Sequence, residues 1–149
     1  MMGRWFIAFW LVFGLGFMAT PAWAATSVRV VVLSLEKASA MDVDGRLRGR
    51  LGQDVRKSLA NSPYKKTRIL KDARFRLEEG ASAEVPIPLA KGQTKLRVEL
   101  LEAGPQKTKM RLRCPGIDNL NTVTSHANGG TLLLAVPGKG RAIAIVPGL

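Results

Sequence analysis

Apolar residues recur with two different periods in this chain, and the change of period separates a helix from a series of strands. Ser27 to Leu35 is a continuous β-branched and apolar run, which is typical of a buried strand. Charged residues from Asp44 to Ala60 then surround an apolar stripe, which predicts an amphipathic helix that ends at Asn61-Ser62-Pro63. The stripe recurs every four residues and consists of Leu47, Leu51, Val55 and Leu59.

From Ile69 onward the period is two, which predicts strands that are half buried. Pro86 and Pro88 share one face of their strand and cannot donate ladder hydrogen bonds, so that strand is predicted to lie at a sheet edge. Asn128-Gly129-Gly130 predicts a hairpin turn. The predicted strands are Ile69–Leu77, Ala83–Leu89, Leu96–Leu100, Met110–Leu112, Leu120–His126, Thr131–Val136 and Arg141–Val146.

The order of elements is one strand, one helix and then about seven strands joined by short Gly and Pro turns. Short consecutive strands of this kind favour an antiparallel arrangement. The sequence therefore predicts a mainly β (α+β) fold, either an antiparallel sandwich or a small barrel, with one amphipathic helix after the first strand.

The first 24 residues have the three parts of a secretory signal peptide. Arg4 supplies a positive start, Trp5 to Met18 is an apolar stretch, and Ala22-Trp23-Ala24 is a small-residue cleavage site. We therefore expect a signal peptide at 1–24 and a single basic β-rich domain at 25–149, exported to the periplasm or cell envelope or secreted. The alternative is an uncleaved membrane anchor, since the apolar stretch approaches the length of a span.

Positive charge is the feature of the expected mature chain that rises above background. Residues 25–149 carry 22 Lys and Arg against 11 Asp and Glu. The cations are densest between Lys57 and Arg76, where Asp72 is the one acid. We predict a basic patch there that binds an acidic partner, with Tyr64 as an aromatic anchor. The predicted patch consists of Lys57, Tyr64, Lys65, Lys66, Arg68, Lys71, Arg74 and Arg76.

Candidate catalytic groups are few. His126 is the single His, and Cys114 is the single Cys, which precludes an internal disulfide. Asp42 and Asp44 fit helix capping better than a calcium loop. We therefore expect no metal, no cofactor and no enzymatic activity, with a small hydrolase as the remaining alternative. Cys114 is expected to be a buried apolar residue, or else an intermolecular thiol.

Several phrases of the sequence resemble a family of uncharacterised exported bacterial proteins. The matching pieces are Ser62-Pro63-Tyr64, Leu77 with Gly80, Ile87-Pro88-Leu89 with Gly92 and Leu96, and Gly129-Gly130-Thr131-Leu132-Leu133-Leu134. The last piece, together with Ala142-Ile143-Ala144-Ile145-Val146, is similar to the closing strands of secretin-type outer-membrane channel proteins. The resemblance implies an accessory of an envelope assembly.

Two kinds of partner follow from these observations. One is another envelope protein, bound by a protein-interaction or assembly accessory module through the edge strand around Ala83–Leu89. The other is an anionic envelope polymer or lipid head group, bound through the basic patch. Nucleic acid is disfavoured, because only Tyr64 and Phe75 of the mature chain could stack on bases.

Overall fold

The computed structural model of the protein describes residues 24–148. The predicted signal peptide, apart from Ala24, lies outside the described residues. One α-helix, α1, runs from Gly49 to Leu59, and a short 3-10 helix spans Pro137–Lys139. The strands are β1 Ala25–Ser34, β2 Asp42–Val43, β3 Lys66–Thr67, β4 Ile69–Glu78, β5 Ser82–Pro88, β6 Gln93–Ala103, β7 Lys107–Cys114, β8 Leu120–Ala127, β9 Leu132–Val136 and β10 Arg141–Pro147.

The strands form two antiparallel four-stranded sheets that pack face to face. The first sheet has the order β4-β1-β10-β9 and the second has the order β5-β6-β7-β8. β2 and β3 make a short parallel pair beside the first sheet. The predicted α+β sandwich with one helix after the first strand is therefore confirmed, and the sheets do not close into a barrel.

The larger core lies between the two sheets. Alternate residues of β1, such as Val28 and Val30, face alternate residues of β6 and β7, such as Val98 and Leu112. All four are nearly free of solvent exposure. The period of two in the sequence therefore identifies the inward face of each strand correctly.

The smaller core lies between α1 and the outer face of the first sheet. Val31 and Leu33 of β1 pack there with Leu51 and Val55 of the helix. β1 is consequently buried on both faces, which explains why its sequence is a continuous apolar run rather than an alternating one.

The helix is shorter than the sequence predicts, and Asp44 does not cap it. α1 begins at Gly49, and the residue before it, Arg48, makes no side-chain capping hydrogen bond. The Asp44 carboxylate instead accepts the main-chain N–H groups of Arg46 at 3.0 Å and Ile69 at 2.9 Å. Because Asp44 is held by these bonds before the helix starts, the capping prediction is wrong.

The predicted hairpin at Asn128-Gly129-Gly130 is also wrong. β8 pairs with β7 and β9 pairs with β10, so this turn passes from one sheet to the other. Two hydrogen bonds hold this turn in place. The side-chain oxygen of Asn128 accepts a hydrogen bond from the Thr108 hydroxyl at 2.6 Å, and the Gly129 N–H donates to the Pro147 carbonyl oxygen at 2.7 Å. Between residues 24 and 148 no helix has the length and apolar character to cross a membrane.

Candidate interaction surfaces

The free edge of β4 is the first candidate surface. β4 has ten residues and pairs only with β1. The Glu79 N–H donates to the Ala24 carbonyl oxygen at 3.0 Å, so these two residues are a hydrogen-bonded pair of the ladder. Val28 and Phe75 are paired in the same register, four residues further along each strand. Since ladder bonds recur at every second residue, the main-chain groups of Arg74 and Arg76 are directed away from β1, toward the open edge.

Three cations of the predicted patch lie along this edge. Lys71, Arg74 and Arg76 are exposed, and in the described part of the chain none of them has a carboxylate within 4.0 Å. The nearby Asp72 is engaged by Arg29, whose guanidinium donates to both carboxylate oxygens at 3.1 and 2.7 Å. Those hydrogen bonds hold the pKa of Asp72 below its usual value. The edge of β4 therefore presents net positive charge.

Two other cations of the predicted patch are neutralised by acids of the segment between β1 and α1. Lys66 Nζ lies 3.7 Å from a Glu36 carboxylate oxygen, and Arg68 Nη2 lies 2.9 Å from a carboxylate oxygen of Asp42. The Arg68 guanidinium lowers the pKa of Asp42 by hydrogen bonding to its charged form. These pairs join two stretches of chain and contribute little net charge to the surface.

Tyr64 and Lys65 make internal contacts at the turn after α1. Tyr64 is half buried against the smaller core, and Lys37 Nζ lies 5.9 Å from the centroid of its ring. Lys65 Nζ donates to the Ser62 carbonyl oxygen at 2.5 Å. The predicted role of Tyr64 as an anchor for a partner stays a prediction, and its observed contacts are internal.

Lys57 is separated from the rest of the predicted patch. It lines an open cleft of about 300 Å3 between α1 and the turn from β8 to β9, together with His126 and Thr131. That turn leads into β9, which is the edge of the first sheet opposite to β4. The structure therefore brings Arg74 and Arg76 together on one face of β4, places Lys71 on the other face of that strand, and does not bring Lys57 to them.

The edge of β5, which the sequence predicts as a site for strand addition, has two of its donors missing. β5 is an edge strand as predicted. The Leu89 N–H donates to the Gly92 carbonyl oxygen at 3.1 Å, so the odd-numbered residues of β5 bond to β6. Pro86 and Pro88 then occupy positions whose nitrogen faces the open edge. Prolines there block pairing with another strand, because they carry no N–H.

The outer face of the second sheet is a basic surface that the sequence analysis did not select. Every outward position of β7 is cationic, namely Lys107, Lys109, Arg111 and Arg113. The alternation of cations with buried residues in Lys107 to Cys114 was visible in the sequence. What was missing was the pairing that places Arg97 of β6 opposite Arg113.

The two side chains with nucleophilic or acid–base chemistry lie apart from each other. Cys114 is buried, and burial raises the pKa of its thiol. Its Sγ lies 3.9 Å from the Thr94 hydroxyl oxygen. His126 is half buried on β8, opposite Thr108 of β7. Within residues 24–148 no three His, Cys, Asp or Glu side chains are placed to hold a metal ion.

Comparison with known proteins gives similarity to solved structures. No family model matches the chain, and no curated protein matches it. The fold is similar to the InvG secretin domain β-barrel from the Salmonella SPI-1 injectisome NC-base, with 14% sequence identity and a TM-score of 0.35. The match covers 83% of this chain and spans 61% of that one. A TM-score this low carries no argument, so the resemblance to exported and secretin-type proteins stays a prediction.

Proposed function

We propose that this chain is a non-catalytic, exported domain of the cell envelope that binds another envelope protein. The partner contributes an extended acidic segment, which adds to the first sheet along β4. The observation that carries the proposal is the open edge of β4 around Arg74 and Arg76.

An open edge and unpaired cations act together in this mode of recognition. Main-chain hydrogen bonds to an added strand supply affinity, and each contributes about 0.5–1.5 kcal/mol net. The cations speed association with an acidic segment and select against basic ones. β4 also has no proline, unlike β5, so the N–H groups of Arg74 and Arg76 that face the open edge are available as donors.

The non-catalytic part of the proposal is supported by how the reactive side chains are used. Cys114 is a buried thiol whose raised pKa disfavours the nucleophilic thiolate. Asp42, Asp44 and Asp72 are each paired with an arginine at 2.7–2.9 Å. Carboxylates bound in this way have lowered pKa values and are poor proton carriers at neutral pH.

A proline substitution on the edge separates strand addition from simple charge attraction. Arg76→Pro removes both a cation and the edge-facing N–H, whereas the matched control Arg76→Ala removes only the cation. The partner is first isolated by pull-down from native envelope at two salt concentrations, and its affinity is then measured with each purified variant.

We expect Arg76→Pro to bind roughly tenfold more weakly than Arg76→Ala, because one hydrogen bond of the ladder is lost. Both variants should melt near the parent temperature, since Pro86 and Pro88 occupy equivalent edge positions of β5. Equal affinities of two folded variants would contradict strand addition at β4.

A further inference from the structure

The outward side of β7 carries an uninterrupted row of four cations. Lys107, Lys109, Arg111 and Arg113 alternate with buried residues along one inner strand of the second sheet. Residues two apart on a strand are separated by about 6.8 Å, so the row is about 20 Å long. α1 packs on the first sheet, and no described element covers this face of the second.

The row is only partly neutralised on its β6 side. Arg111 Nη1 lies 3.4 Å from a Glu99 carboxylate oxygen, and Glu102 stands opposite Lys109 in the register. Arg113 instead stands directly opposite Arg97. Like charges placed directly opposite one another destabilise a sheet. Glu84 of β5 stands opposite Arg97 on its other side, whereas Arg113 has no acid opposite it, so an anion bound beside Arg113 would relieve the repulsion within the arginine pair.

The β8 side of the row is open and uncharged. Asn121, Val123 and Ser125 stand opposite Arg113, Arg111 and Lys109 respectively. These side chains are short, and Val123 is 46% exposed. A ligand that lies on the row can therefore reach the cations from the β8 side and hydrogen bond to Asn121 and Ser125.

We propose that this face binds a linear anionic polysaccharide that lies along β7. The positive charge forms a stripe along β7 that Arg97 of β6 widens at one end, and it is bounded by Glu99 and Glu102 on the β6 side and by uncharged β8 on the other, so it matches a chain rather than a broad surface. The amide of Asn121 and the hydroxyl of Ser125 beside the stripe fit sugar hydroxyl groups.

Two other polyanions fit this face less well. A nucleic acid strand normally stacks its bases on aromatic side chains, and the two aromatic residues of the described chain are elsewhere. Phe75 packs in the larger core and Tyr64 against the smaller one. An anionic bilayer would meet the carboxylates of Glu84, Glu99 and Glu102 as well as the cations.

This site is separate from the edge of β4 and does not depend on the function proposed above. The row on β7 projects from the outer face of the second sheet. Arg74 and Arg76 project from the first sheet on its α1 side, because Ala73 and Phe75 between them point into the larger core. The two surfaces can therefore be altered independently.

Two charge-matched triple variants test the proposal. The first is Lys107→Ala with Lys109→Ala and Arg113→Ala. The control is Lys71→Ala with Arg74→Ala and Arg76→Ala. Each removes three exposed cations, so the net charge of the two proteins is the same. The probe is a size-selected alginate fragment, titrated into the full mature chain at several salt concentrations, with melting curves for both variants.

We expect the β7 variant to bind alginate roughly tenfold to hundredfold more weakly than the parent, with a shallower dependence on salt, because fewer counter-ions are exchanged. The control variant should bind within about threefold of the parent, since its cations are on another face. If the β7 triple variant does not fold, the single variant Lys109→Glu takes its place.

Three results would overturn the proposal. Equal losses of affinity in the two variants would mean that alginate binding depends only on net charge. Absence of alginate binding by the parent at low salt would show that the face does not bind this polymer. Tighter binding to phosphatidylglycerol vesicles than to alginate, lost in the β7 variant, would assign the face to a bilayer instead.

Discussion

The Asp44 carboxylate accepts the main-chain N–H of Ile69 at 2.9 Å, which ties the turn before α1 to the start of β4. The same carboxylate also accepts two bonds from the Arg46 guanidinium, at 3.2 and 2.9 Å. These bonds favour the charged form, so the pKa of Asp44 lies well below the usual 3.8 of an aspartate. Asp44 therefore helps to fix the smaller core, whose helix follows this turn.

Asp44→Asn should destabilise the fold by about 1–3 kcal/mol, because the amide cannot serve all of these donors. Thermal or urea unfolding at pH 7 measures the loss. Asp118→Asn is the matched control: Asp118 is exposed and has a positive φ of 51°, a conformation that asparagine tolerates well. We expect the control to unfold like the parent, and an equally large loss in both variants would contradict this role of Asp44.

The contribution of the Asp44 charge should depend on pH in a defined direction. Since the pKa is lowered by folding, the charge stabilises the native state fully above about pH 5, and this contribution is lost as the pH falls below 3.8. The difference in unfolding free energy between the parent and Asp44→Asn should therefore shrink between pH 5 and pH 3. A constant difference over that range would show that the charge is not the stabilising element.

Leu51→Asp should unfold the protein or lower its stability by about 3 kcal/mol or more, because an unpaired carboxylate would replace a leucine in the smaller core. Leu51 is 7% exposed and faces the first sheet. The neighbouring Arg50→Asp should change stability by less than about 1 kcal/mol, since Arg50 is exposed and its pair with Asp54 at 3.6 Å is a surface one. Thermal melts of the two variants compare the buried face of α1 with its exposed face. Similar melting points would mean that the helix is not packed as described.

Gly116→Ala should cost about 1–3 kcal/mol, because a methyl group there overlaps the Thr94 side chain. The added Cβ would lie 2.4 Å from the Thr94 hydroxyl oxygen and 2.5 Å from its Cβ. The shift of Thr94 would also break the bond that its hydroxyl accepts from the Gly116 N–H at 3.1 Å.

Gly45→Ala is the matched control, since an added Cβ there has no heavy atom within 4 Å. We expect its free energy of unfolding to lie within about 0.5 kcal/mol of that of the parent. The two free energies of unfolding can be measured by urea titration, and a Gly116→Ala protein as stable as the control would show that Thr94 adapts without strain.

Export should leave Ala25 as the first residue of the mature chain. The predicted cleavage site ends at Ala24, and β1 begins at Ala25, so cleavage there leaves all of β1 in place and removes only the Ala24 carbonyl that accepts the Glu79 N–H. Intact-mass measurement of protein recovered from the envelope fraction gives the N-terminus directly. A mass that includes residues 1–24, found in the membrane fraction, would show an uncleaved anchor instead.

The sequence alone determined the type of the main helix and of the eight longer strands, and the face that each buries. In β6 the residues Leu96, Val98 and Leu100 alternate with charged residues, and the structure buries these three. Leu51, Val55 and Leu59 of α1 are buried in the same way, as is Leu47 in the turn before it. These patterns are readable because side-chain direction follows from local backbone geometry, with a period of two in strands and 3.6 in helices.

Only the tertiary structure decided which strands pair and therefore which charges meet. Asn128-Gly129-Gly130 has the local sequence of a hairpin turn, yet the chain crosses there between two sheets. The carbonyl oxygens of Gly104 and Pro147, which are distant in sequence, accept hydrogen bonds from the Asn128 side chain and the Gly129 N–H. The pairing of Arg97 with Arg113 likewise depends on register. Strand pairing is a non-local choice that is set by the packing of whole faces, so neither the open edge of β4 nor the cation row on β7 could be located before the sheets were known.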